Sequence, residues 1–107
     1  MTSGGTALIP TKEELRMTID EAEWSWLHAH LERGGLILVD DSIDLSDAAL
    51  MIANDNTEII GEWVNSGKLG KPTLNQISHW NTEKQKKFSM LIVSPYVLIQ
   101  EKLPVFH

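Results

Sequence analysis

The sequence predicts an α+β fold: a small single domain with about four helices packed on a small sheet of short strands. Three observations carry this prediction. Apolar residues recur at helical spacing in several separate stretches, short aliphatic runs bounded by turn residues lie between and after them, and the order runs helix, strand, two helices, short strand, helix, strands.

Thr11 opens a Thr-x-x-Glu capping box with Glu14, in which a hydroxyl and a carboxylate satisfy free amides of a helix's first turn. Leu15, Ile19, Ala22, Trp26 and Ala29 then share one helical stripe and Gly34-Gly35 stops it, so residues 12 to 33 read as helical. Thr18 with Glu21, or Asp20 with Glu23, would restart a helix, which leaves one helix and two as alternatives. Leu36 to Val39, with glycines before and aspartates after, suits a buried strand, and Asp40-Asp41-Ser42 turns the chain. Leu45, Ala48, Ala49 and Ile52 form the next helical stripe, closed by Asn54-Asp55-Asn56. Ile59, Ile60, Trp63 and Val64 form another, ending at Ser66-Gly67, so the pair is a helical hairpin. Lys68 to Lys71 has room for a short strand. Pro72-Thr73 starts a helix in which Leu74, Ile77 and Trp80 share a face, and Asn81 to Lys87 is a loop or an exposed helix extension. From Phe88 to Gln100 the chain is rich in β-branched and aliphatic residues, interrupted by Ser94-Pro95. It reads as two strands joined at a bend or as an edge strand with a bulge. The apolar tail from Leu103 to His107 is expected to pack on the body or on a neighbour.

The 107 residues, 42% hydrophobic and 22% charged with a formal charge of -6, divide into an expected flexible leader over 1–10 and one globular domain over 11–107. No aliphatic run approaches the roughly 20 apolar residues that a membrane crossing needs. The first ten residues lack the basic start and apolar core of a secretory signal. With no cysteine there is no disulfide framework and no thiolate site, and a cytoplasmic location is expected. The charge is unevenly distributed. Residues 1–66 carry thirteen acidic and three basic side chains, whereas residues 67–107 carry six lysines against Glu83 and Glu101. Blocks of opposite sign pair across the fold, stay solvated or attract different partners.

EWSWLHAHLERGGLILVDD (Glu23 to Asp41), IDLSDAALMIANDN (Ile43 to Asn56), EWVNSGKL (Glu62 to Leu69) and SPYVLIQEK (Ser94 to Lys102) together resemble the bacterial family of small proteins known as domain of unknown function twenty-two eighty-eight. The resemblance spans about residues 12 to 102, with the four elements in the family's order and at similar spacing. Tyr96 departs from it, because the family more often has tryptophan after the proline. The family has no assigned activity, ligand or catalytic residue, so the resemblance implies a compact bacterial α+β domain and transfers no functional role.

Asp40, Asp41, Asp44 and Asp47 form the densest set of candidate metal ligands, yet an EF-hand loop opening at Asp40 would need Gly and Glu where Leu45 and Met51 stand. Turn formation and helix capping account for these carboxylates, which leaves Asp40, Asp41 and Asp44 as weak metal candidates. His28 and His30 would diverge on a helix, and His79 and His107 have no local ligand partners. Trp26, Trp63 and Trp80 sit on predicted core stripes, whereas Trp24 lies on another side of its helix near Leu27 and Leu31. A helix apolar on two sides is sandwiched within the domain or between subunits. Trp24, Leu27, Leu31 and Tyr96 are therefore the interface candidates. Lys68, Lys71, Lys84, Lys86 and Lys87 flank the helix carrying Trp80 and are the anion-binding candidates. Phosphate-cradling glycine motifs and a nucleophile elbow are absent, and no cofactor is expected.

The first functional expectation is a non-enzymatic protein-interaction or self-association domain, whose partner is another protein or a second copy in a homodimer. An anion-binding or nucleic-acid adaptor using the lysines of 68–87 is the second, with nucleic acid disfavoured by the overall charge. A metal-assisted hydrolase built on the Asp40 to Asp47 cluster is the third.

Overall fold

The computed structural model describes residues 10–102. The leader expected at the N-terminus, apart from Pro10, and the tail from Leu103 to His107 lie outside the described residues. In chain order the elements are α1 (Lys12–Met17), β1 (Asp20–Glu23), α2 (Trp24–Glu32), β2 (Leu36–Val39), α3 (Leu45–Ala53), α4 (Thr57–Asn65), β3 (Leu69–Gly70), α5 (Leu74–Asn81), β4 (Lys87–Val93) and β5 (Tyr96–Glu101). The fold is α+β, with five helices where about four are predicted.

The additional helix comes from a break in the 12–33 segment. The capping box of Thr11 and Glu14 forms as expected, but Thr18 ends α1 by donating both its amide and its hydroxyl to the Leu15 carbonyl. The chain then extends, and Asp20 to Glu23 pair antiparallel with Lys87 to Met90 of β4. Most of β1 is exposed, with Ala22 turned toward the core. Its charged residues suit a sheet edge, where acidic side chains discourage pairing with another chain.

The sheet order is β1-β4-β5-β2-β3. β5 and β2 are parallel neighbours, and the other adjacent pairs are antiparallel. The connections β1–α2–β2 and β3–α5–β4 therefore join parallel strands, traversing the sheet in opposite directions between strands of opposite sense. Crossovers of the same hand then place α2 and α5 on the same face. The segment after Phe88 resolves into a β-hairpin with both strands interior to the sheet, so the edge-strand alternative does not hold. Lys68 to Lys71 supplies the short edge strand β3, and residues 82–86 form a loop.

Two cores lie on opposite faces of the sheet. One gathers Leu15, Val39, Ile43, Leu45, Ala48, Ala49, Leu69, Leu91 and Leu98 beneath α1, α3 and α4. The other gathers Trp24, Leu27, Leu36, Trp80, Phe88, Val97 and Ile99 beneath α2 and α5. The helix stops are local: Gly34 and Gly67 adopt φ of 80° and 78°, the left-handed conformation that closes α2 and α4. Among the described residues no helix is long and apolar enough to cross a membrane.

Candidate functional site

The strand register gathers basic residues at one end of the sheet. β2 and β5 both finish there, β3 and β4 both begin there, and Lys68, Lys86 and Lys102 lie just beyond those strand termini. Between them and the start of α5 runs an open groove of about 720 Å³, also lined by Lys71, Thr73 and Gln76. Leu38, Val39, Val64 and Leu69 give it apolar walls, and Asp40, Asp41 and Glu101 interrupt its basic lining. Ligands of α/β sheets commonly sit outside the carboxyl ends of parallel strands, which is where this groove lies.

Backbone hydrogen bonds place the lysines. The Lys68 amide donates to the Trp63 carbonyl at 2.8 Å, and the Lys68 carbonyl accepts from the Asp40 amide at 2.9 Å, tying the end of α4 to the end of β2. Lys71 precedes Pro72 and the Thr73–Gln76 capping box that opens α5. The Lys86 carbonyl accepts from the Trp24 amide at 2.9 Å, so the loop after α5 caps α2, whose N-cap Glu23 supplies no side-chain bond.

The charged groups differ in how far they are already engaged. Lys86 lies 3.4 Å from Glu101, and Glu21 receives both Lys102 at 2.6 Å and Lys87 at 3.4 Å. Hydrogen bonding from Lys102 holds the Glu21 carboxyl below the usual glutamate range, helped by Lys87. Asp40 is held low by the Ser42 hydroxyl, 2.5 Å away, then by the Ser42 amide and the charge of Lys68. No ion pair to Lys68 or Lys71 occurs among the described residues.

The five lysine candidates are therefore divided by the fold. Lys68, Lys71 and Lys86 line the groove, Lys84 lines a separate cleft of about 480 Å³ with Trp24, Ser25, His28 and Asn81, and Lys87 pairs with Glu21. Sequence reasoning missed Lys102 and the apolar walls. The basic balance of residues 67–107 was a signal for Lys102, whereas no local pattern marks Leu38 or Val64 as neighbours of Lys71.

The interface candidates differ in exposure, and two of them, Trp24 and Leu27, are core residues. Trp24 and Leu27 are 1% and 0% exposed, so they lie on the single buried face of α2 and neither offers a docking surface. The Trp24 indole N–H donates to Asn81 Oδ1 at 2.9 Å, and its ring meets Trp80 edge-on with centroids 4.9 Å apart. Leu31 is half-buried against the same aromatic core. Trp26, expected in the core, is 49% exposed beside His30, because the stripe counted from Leu15 loses its helical phase across β1. Val64 and Leu74 are likewise exposed despite their stripes. Tyr96 is exposed, as is Ile92, but their register places them on opposite faces of the hairpin, where they form no common patch.

The aspartates mostly serve local structure. Asp44 caps α3, accepting from the Ser46 and Asp47 amides and from the buried Ser46 hydroxyl, while Asp47 pairs with Lys12 at 2.9 Å. Asp40 and Asp41 line the groove and stand apart from any histidine cluster. Among the described residues no group of three His, Cys, Asp or Glu side chains is placed to hold a metal ion. His28 meets the Trp24 ring edge-on and His79 lies 3.0 Å from Glu83, while His107 falls outside the described residues.

The NMR solution structure of PA1075 from Pseudomonas aeruginosa is similar to this chain at 27% sequence identity and a TM-score of 0.75, covering 99% of this chain and 100% of that one. No curated protein matches the sequence. The family model described as Protein of unknown function (DUF2288) matches residues 10–101, and the chain belongs to that family.

Proposed function

We propose that the protein is a non-enzymatic binding domain that holds an anionic group in the groove at the shared end of β2, β3 and β5. The observation that supports this reading is the placement of Lys68 and Lys71, neither in an ion pair among the described residues although Asp40 feels the charge of Lys68, in a groove that Leu38 and Val64 also line. Concave sites with apolar walls and a few polar groups bind small ligands and short segments, and a volume of about 720 Å³ lies within their usual range. The non-enzymatic assignment rests on engaged hydroxyls and imidazoles. Ser42 and Ser46 donate to Asp40 and Asp44 in turns and caps, and His28 and His30 lie against tryptophan rings, so among the described residues no hydroxyl is hydrogen-bonded to an imidazole base. A cytoplasmic location, inferred from the cysteine-free sequence, belongs to the same proposal.

Titration with sodium tripolyphosphate at low salt, followed by amide proton–nitrogen spectra, tests the reading. Shifts concentrated in residues 38–41, 67–76 and 101–102, reversed by added salt and lost in the Lys68→Glu, Lys71→Glu double variant, are expected. An unshifted spectrum, or shifts spread over every lysine, would sink it.

A further inference from the structure

We infer that the occupant of this groove is an acidic, extended segment of another protein, with carboxylates toward Lys68 and Lys71 and an apolar side chain against the exposed Val64. This inference rests on the anion-binding reading and adds the chemical class of the partner.

Three features separate a protein segment from a nucleic acid. The first is the alternation of charge. Asp40, Asp41 and Glu101 stand among Lys68, Lys71, Lys86 and Lys102. Duplex DNA presents one negative charge per roughly 1.7 Å of its axis and would bring phosphates against those carboxylates as well as the lysines. A peptide has charge only where its side chains put it, and the chain's own -6 charge repels long polyanions before contact. The second is the lining. Single strands are held largely by bases stacking on aromatic rings, yet among the described residues no aromatic side chain lines the groove, and Trp24, Trp80 and Phe88 are buried in the core. Aliphatic walls beside cations instead match an acidic segment interrupted by an aliphatic residue.

The third is reach. From β3 across β2 to β5 is two strand spacings, about 10 Å, which an extended peptide covers in about three residues. Successive side chains of an extended segment point to opposite sides, so a carboxylate, apolar, carboxylate sequence aims its charges one way and its apolar group the other. The groove has that division of chemistry, with Lys68 and Lys71 on either side of β3, neither in an ion pair among the described residues, and the exposed Val64 of α4 as the aliphatic surface.

The test uses the full chain and three probes: a short capped peptide alternating glutamate and leucine, a matching peptide with serine for leucine, and a single-stranded oligothymidine of equal charge. Calorimetry at low and raised salt measures each affinity. The glutamate–leucine peptide should bind about tenfold more tightly than the serine version, a gap that Val64→Ser narrows, and Lys68→Glu with Lys71→Glu should weaken it at least about tenfold. Unchanged amide dispersion in the variants separates lost binding from lost folding. Oligothymidine binding as tightly as the peptide would overturn the protein-segment assignment while leaving the anion-binding reading intact. So would tripolyphosphate perturbing the groove when neither peptide binds. Silence from peptides, oligonucleotide and tripolyphosphate alike would overturn both.

Discussion

The two faces of the sheet solve the same burial problem with different side chains. Three helices cover the aliphatic face, where Ala48 and Ala49 are both 0% exposed and their small size lets α3 lie close to the strands. On the aromatic face two helices suffice, because Trp24, Trp80 and Phe88 each bury a large area and meet one another at ring-centroid separations of 4.9–5.9 Å. Close approach of backbones stabilises the first face, and a few large rings in edge-to-face and tilted contacts stabilise the second. The aromatic face should therefore be sensitive to deletion and the aliphatic face to insertion.

Trp24→Ala tests the comparison most severely. It removes the ring that packs against both Trp80 and Phe88 and leaves Asn81 without its donor. A loss of about 3–5 kcal/mol in urea unfolding is expected, and a loss below about 1 kcal/mol would show that the aromatic residues do not act as a unit. On the other face, Ala48→Leu should cost about 1–3 kcal/mol by forcing α3 off the sheet, while Leu31→Met, at the half-buried margin of the aromatic core, costs less. Equal losses in that pair would erase the distinction in packing.

Capping effects come next. Asp44→Ala removes the N-cap of α3 and should cost about 1 kcal/mol, loosening the aliphatic face alone. The Ser46 hydroxyl first, and the Ser46 and Asp47 amides with it, hold the Asp44 carboxyl below the usual aspartate range. Its stabilising contribution is therefore complete above the unfolded aspartate value near about pH 4 and is lost as pH falls through the lower folded value. Urea midpoints measured across that acid range should fall less steeply for Asp44→Asn than for the parent. The smallest effect belongs to the groove: Lys68→Glu with Lys71→Glu should move unfolding stability by no more than about 0.5 kcal/mol, because these exposed side chains hold neither core. A larger loss would make them structural and would remove the contrast between the groove and the two faces.

Much of the fold was legible because it rests on local chemistry. The Thr11–Glu14 box, the strand Leu36 to Val39, the helical hairpin and the stops at Gly34 and Gly67 each depend on residues a few positions apart, and the structure contains all of them. β1 was not legible. Asp20 to Glu23 carries no strand propensity, and the segment extends because β4, more than sixty residues later, offers it a ladder of backbone partners. That one non-local pairing reset the helical phase, moving Trp24 and Leu27 into the core and Trp26 to the surface. For the candidate site, the sequence showed which lysines exist and that their half of the chain is basic. Only the tertiary structure decided which of them meet, because the sheet order brings the ends of β2 and β5 beside the starts of β3 and β4 and so gathers Lys68 and Lys86 from two connections and Lys102 from the end of β5. Periodicity reports what a residue does within its own turn or strand, whereas a groove is made between elements, and its composition follows from topology.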